Sequence, residues 1–366
     1  MFPSPDLSGF RSRAAIDALV HELSLLVDRP MRFMEVCGTH TMAVARYGLR
    51  SLFPPRFELV SGPGCPVCVT AQSHVDAMIR LARIPGVTIA TFGDMVRVPG
   101  SSGSLAHAMA EGARVEIVYS PTDALHLARE VSPDPVVFLA VGFETTAPAV
   151  AATILEAERT GVENLLVHPA HKLMPPALDC IMSGGAAVNG LLCPGHVSAV
   201  IGAKAYAPLA EGQGLPCVIG GFEPADILLA LTLLARQVRE GRSEVENAYP
   251  RAVSWEGNKR AREVMEAVFR PEDTEWRGLG VISGSGLTLR EGFRDRDART
   301  RFGVHPVPVA DPPGCVCGEV LKGVKTPTDC PLFASRCTPQ SPVGPCMVSG
   351  EGACAAHYLT DGPCHA

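Results

Sequence analysis

The 366-residue chain has no surplus of positive charge: 32 Lys and Arg stand against 38 Asp and Glu, a net charge of −6. That balance offers no electrostatic attraction to nucleic acid or to an anionic membrane. No apolar run approaches the roughly 18 residues that would span a bilayer. The opening Met1-Phe2-Pro3-Ser4-Pro5-Asp6 has neither a basic n-region nor an apolar h-region, so a cytoplasmic location is expected. Neither a Gly-x-Gly-x-x-Gly turn nor a Gly-x-x-x-x-Gly-Lys-Ser/Thr loop occurs, which removes the usual cradles for nucleotide cofactors. The chain is instead rich in Gly (36), Pro (32) and Cys (13). In a reducing compartment such a Cys content points to metal binding or redox chemistry rather than to structural disulfides.

The length allows two or three cored domains. Residues 13–27 place Ile16, Leu19, Val20, Leu23, Leu26 and Val27 on one helical face. From residue 31 one device recurs: a short apolar, β-branched run, then a Gly-rich or polar turn, then a helical pattern. It is found at 57–65, 87–94, 136–146, 165–168, 191–196 and 217–223. Alternation of this kind predicts parallel βαβ units, with ligand-binding loops at the carboxyl ends of the strands. Gly142-Phe143-Glu144 and Gly221-Phe222-Glu223 echo each other, which predicts two similar α/β lobes. The lobes are expected at 1–130 and 131–241, with a charged segment and a Cys-dense domain over 242–366. Within 242–301, Trp255 and Trp276 are expected packing anchors. The charged run 290–301 is expected to be a plain exposed face or a partner-facing one.

The chemistry concentrates in the thiols. Cys37-Gly38-Thr39-His40 falls between a predicted strand and a helix start, where backbone N–H groups and the helix dipole lower a thiol's pKa. Gly64-Cys65-Pro66-Val67-Cys68 opens another helix; its two thiols fit a redox pair or half of a metal site, with His74 able to support either. Past residue 311 come Cys315, Cys317, Cys330, Cys337, Cys346, Cys354 and Cys364, in a segment with little apolar material for a core. Zinc sites favour two tight Cys-x-x-Cys pairs, and this tail has none. The gaps of 14, 6 and 16 residues between Cys315, Cys330, Cys337 and Cys354 suit a cubane iron-sulfur cluster better than zinc, and zinc better than disulfides. Glu144, Asp94 and His196 follow predicted strands; each fits a general acid or base, or a group matched to a helix N-terminus.

Taken together, Cys37-Gly38-Thr39-His40, Gly62-Pro63-Gly64-Cys65-Pro66-Val67-Cys68, Phe92-Gly93-Asp94-Met95, Gly142-Phe143-Glu144-Thr145-Thr146, Cys193-Pro194-Gly195-His196 and the Cys330–Cys354 tail resemble the HypD family of hydrogenase maturation factors. The resemblance spans 34–358. It implies two α/β lobes facing a cleft and a C-terminal domain carrying a 4Fe-4S cluster. It implies a scaffold that, with a small HypC-type chaperone and a HypE-type cyanide donor, holds iron while Fe(CN)2CO is assembled for a [NiFe]-hydrogenase large-subunit precursor. It makes Cys37 the iron-holding thiolate, with Thr39 and His40 shaping its surroundings and Glu144 in the cleft. Cys65 and Cys68 become the redox pair, and Cys315, Cys330, Cys337 and Cys354 the cluster ligands, with Cys317 and Cys346 as competitors. Two other classes stay open on the residues alone: a self-sufficient iron-sulfur and dithiol oxidoreductase, and a zinc-stabilised interaction protein. Cys364 and His365 fall in no motif.

Overall fold

The computed structural model describes residues 8–361, so Cys364 and His365 lie outside the described residues. Two all-parallel sheets form the frame. The first has the order β2-β1-β7-β8-β9, built from β1 (Met31–Glu35), β2 (Phe57–Ser61), β7 (Gly190–Pro194), β8 (Cys217–Gly220) and β9 (Val245–Asn247). The second has the order β4-β3-β5-β6, built from β3 (Thr88–Thr91), β4 (Arg114–Ile117), β5 (Val136–Ala140) and β6 (Leu165–Pro169). The βαβ expectation therefore holds, and with it the class of two α/β lobes. A third, antiparallel pair joins β10 (Phe269–Trp276) to β11 (Gly280–Leu289).

The lobes are not consecutive in sequence. The chain begins the first sheet, leaves to complete the second, and returns, so that Phe33 of β1 pairs with Gly190 of β7. A boundary at residue 130 cuts the second sheet, and one at 241 separates β9 from its sheet. Both expected boundaries are corrected accordingly: adjacency in sequence sets local runs, whereas burial of both faces sets strand order.

Successive strand residues face opposite ways, which sorts the core. Phe33 packs with Leu59, Leu192, Val218, Leu231 and Leu234 on the outer face of the first sheet. Its neighbour Met34 belongs to a central core shared with Ile89, Leu139, Ile219, Trp276, Leu321 and Val348. That core reaches from both sheets into the Cys-rich tail, so the tail is seated on the lobes' core rather than built around one of its own. Trp276 is fully buried, as expected of an anchor, but Trp255 is half exposed.

The charged run at 290–301 is also not simply a solvated face. Arg296 is buried, pairs with Glu158, and donates to the carbonyl oxygens of Val162 and Leu165 at 2.9 and 3.0 Å. Arg299 donates to Glu272 at 3.0 Å and to Thr288 at 2.8 Å. The segment fastens β6 to the hairpin. Among the described residues, no helix is long and apolar enough to cross a membrane.

Candidate functional site

In both sheets the loops that follow the strands converge. Cys37 follows β1, Gly64 and Pro66 follow β2, and His196 follows β7; Phe143 and Thr145 follow β5. All of these line one cleft of about 400 Å³, together with Thr39, Met174 and Glu351. Two glycines make the approach possible. A Cβ on Gly64 would stand 2.3 Å from the backbone nitrogen of Cys37, and one on Gly38 would stand 2.6 Å from Cβ of Glu351. The Cys-x-x-Cys loop and the tail can therefore press directly on the backbone around Cys37, and Gly38 N–H donates to Gly64 O at 2.8 Å.

Cys37 is the N-cap of the helix Gly38–Arg46. The nearby backbone N–H groups of His40 and Thr39 favour a thiolate, although the sulfur makes no capping hydrogen bond. Burial nevertheless dominates, pushing the thiol up to about 12, and the nearby carboxylates of Glu35 and Glu351 add to the rise. The expected lowering is thus reversed: at 7% exposure, desolvation of the anion outweighs one helix end. At neutral pH the thiol therefore keeps its proton.

Glu35 lies beneath, accepting the Cys37 N–H at 3.1 Å and the Thr41 hydroxyl at 2.5 Å, and burial raises its carboxyl to about 7. Nothing in the local pattern marked it, because an acid in a buried strand breaks the strand's own periodicity. Glu351, also missed, comes from the far end of the chain.

The other expected residues separate. Thr39 lines the cleft. His40 does not: it is fully buried, bonds the Gly221 carbonyl oxygen through Nε2 at 2.9 Å, and packs on Phe222. Burial holds it down at about 4, so it acts as a neutral brace for the loop after β8. That loop's Phe222 stacks on exposed His196, ring centroids 4.1 Å apart, and His196 faces the cleft. Glu144 sits just behind the wall. Its Oε1 accepts Met174 N–H at 2.9 Å, its Oε2 has no hydrogen-bond partner, and burial raises the carboxyl to about 7. Asp94 is exposed in the first turn of Gly93–Val96 and does not line the cleft. His74 is buried 3.4 Å from the Thr274 hydroxyl, away from the thiols.

Cys65 caps the short helix Pro66–Val69 and accepts Cys68 N–H at 3.4 Å. Beyond the pair, the sulfurs continue. Cys346 lies within hydrogen-bonding reach of Cys68, and also of Cys317 and Cys354. Its distance to the Cys317 sulfur is 3.0 Å. Cys315 in turn lies beside Cys317, and Cys354 beside Cys346, so these four sulfurs form one continuous series, with Cys330 and Cys337 on the same pocket. The six tail thiols among the described residues line one apolar pocket. Within it the Cys337 sulfur accepts Val343 N–H at 3.3 Å, and Gly344 leaves room for the Cys315 sulfur, 3.2 Å from where its Cβ would stand. Soft sulfur donors from separate turns, supported by backbone N–H groups in an apolar pocket, fit a cubane cluster. Among the described residues, no group of three or more His, Cys, Asp or Glu stands close enough together to hold a metal ion.

Comparison with known proteins fits this arrangement. The family model described as "HypD: Hydrogenase formation hypA family" matches residues 13–361. The chain belongs to the HypD family. It is 46% identical over 362 residues to hydrogenase maturation factor HypD1 of Bradyrhizobium diazoefficiens, covering 96% of this chain and 95% of that protein. Hydrogenase maturation factor HypD of Azotobacter vinelandii is 46% identical, covering 95% of each chain. That of Rhodobacter capsulatus is 42% identical, covering 97% of this chain and 98% of the relative.

Proposed function

We propose that this HypD-family chain is a cytoplasmic scaffold for hydrogenase maturation on which Fe(CN)2CO is assembled as cargo. The observation that carries the reading is the position of Cys37: one buried thiol at a strand end and helix N-cap, in a cleft that adjoins a Cys-x-x-Cys pair. Low-spin iron carrying cyanide and carbonyl ligands favours a soft thiolate and a water-poor site. Exchange of the Cys37 proton for iron supplies the first, and the walls formed by Phe143, Met174 and Val197 supply the second. At the rim His196 offers a ring N–H that a cyanide nitrogen would accept, while the Thr39 hydroxyl is given to Glu351.

A Cys65–Cys68 disulfide would take up two protons and two electrons on opening to the dithiol, and the neighbouring dithiol can supply both. Cys346 reaches Cys68, so the thiols Cys317 and Cys346 restore the pair by exchange, becoming a disulfide themselves. Cys315, Cys330, Cys337 and Cys354 would hold a 4Fe-4S cluster, whose chemistry is one-electron transfer. The partners this reading requires are a HypC-type chaperone, a HypE-type cyanide donor and, at the end, a large-subunit precursor.

The test is the metal content of protein purified without oxygen together with its small partner. The reading expects about four iron and four sulfide per chain for the cluster, with further iron held in the cleft. Zinc without sulfide would overturn it.

A further inference from the structure

The turn that joins β10 to β11 places a buried cation between the two thiol regions. Arg277 is only 2% exposed. Its Nε donates to the Thr70 carbonyl oxygen at 3.0 Å and its Nη atoms donate to Gln72 Oε1 at 3.1 Å, both just past the Cys65 and Cys68 helix. Its backbone N–H donates to Val69 O at 3.0 Å. On the other side, Nη1 donates to Asp311 Oδ1 at 3.1 Å, four residues before Cys315. The next residue, Gly278, abuts Gly318 beside Cys317 so closely that a Cβ on it would stand 2.1 Å from the Gly318 Cα. Every donor of this guanidinium that has a partner meets a neutral oxygen or Asp311, whose side chain is 37% exposed against 1% for the arginine. Solvent therefore screens the anion more than the cation, and a net positive field is left toward the sulfur pocket.

We infer that Arg277 is a positioning residue that clamps the tail thiols against the Cys65 and Cys68 loop and raises the reduction potential of the group held by Cys315, Cys330, Cys337 and Cys354. The inference rests on the cluster reading above. A fixed buried cation stabilises whichever redox state is more negative, and reduction of a thiolate-bound cluster adds one negative charge. A bare clamp would need only the hydrogen bonds; a charge in this position also sets a potential.

The experiment is a redox titration with dithionite and mediators, followed by absorbance and electron paramagnetic resonance, on the anaerobic full-length protein. Arg277→Gln should lower the midpoint so that the reduced-to-oxidised ratio at the wild-type midpoint falls about tenfold, equivalent to about 59 mV for one electron. Asp311→Asn removes the counter-charge at a partly exposed site and should move the midpoint the opposite way, by a smaller, several-fold change in that ratio. Arg277→Lys should keep most of the wild-type value. Opposite signs for the two neutralising variants cannot come from loosened packing. If Arg277→Gln does not fold, Arg277→Met supplies the second neutralising variant, and a midpoint equal to wild type in either would overturn the role of Arg277. A loaded Asp311→Asn protein with an unchanged or lowered midpoint overturns the role of Arg277, whereas wild-type protein without iron and sulfide overturns the cluster reading and this inference with it.

Discussion

The Thr39 hydroxyl donates a 2.7 Å hydrogen bond to Oε1 of Glu351, 312 residues further along the chain. The contact seats the tail on the helix that begins at Cys37 and closes one side of the cleft. Glu351→Ala should open that side. Alkylation of Cys37 should speed up several-fold, and the seam should weaken by about 1–2 kcal/mol, the range for a hydrogen bond to a charged acceptor that keeps some contact with water. Mass-resolved thiol labelling checks it, and an unchanged rate at Cys37 would show that Glu351 does not gate the site.

Gly64→Ala tests the close approach of the two thiol loops. A methyl group 2.3 Å from the Cys37 nitrogen has only backbone to displace. The loops must part at a cost of about 1–3 kcal/mol. Lower thermal stability with iron and sulfide retained is the expected result; a wild-type melting curve would mean the loops part freely.

Glu144 carries a signed pH dependence. Its carboxyl titrates near 7 in the folded protein instead of 4.5, because burial penalises its anion. A raised pKa means that this group's stability is complete below pH 4.5 and declines as pH climbs through 7. Glu144→Gln keeps an acceptor for Met174 N–H and removes the buried charge. It should leave stability unchanged at pH 4.5 and raise it by roughly 1–3 kcal/mol at pH 8, since each unit is worth about 1.4 kcal/mol. Denaturant midpoints at the two pH values measure the difference, and equal effects at both would rule out an ionised buried Glu144.

The tail assignment separates by single substitutions. Cys337→Ala should abolish bound sulfide and loosen the segment, because a metal supplies folding energy where apolar packing is thin. Cys317→Ser and Cys346→Ser should keep iron and sulfide at wild-type levels while blocking recovery of the Cys65 and Cys68 thiols. Loss of sulfide in either serine variant would return those cysteines to the ligand set.

Much of the frame was legible in the sequence because β1, β2, β3, β5, β6, β7 and β8 are short apolar runs with a Gly or polar turn after them, whereas β4 (Arg114–Ile117), β9 and β10 carry charges that hid them. The helices Arg13–Leu26 and Pro224–Glu240 follow their apolar spacing, and the second stops at Gly241, whose φ of 67° suits glycine. Strand order was not legible. The pairing of β1 with β7 depends on which faces end up dry, and no short window records that. Charges deceived for the same reason: Arg296 resembles a solvated residue until Glu158 and two carbonyl oxygens, more than 130 positions away, take up its donors. Cys37 was found by its motif, but its high pKa was not, since burial is a property of the assembled lobes. Glu35 and Arg277 carry no motif and emerge only from what surrounds them.

The account stands most directly on the sulfur of Cys37. Wild-type protein isolated anaerobically with its small partner should show infrared bands of iron-bound cyanide and carbonyl, and Cys37→Ala should lose them while keeping its fold and tail sulfide, because the change removes one sulfur and little packing. A well-folded Cys37→Ala protein that retains the full bands would contradict the account and place the iron on another ligand.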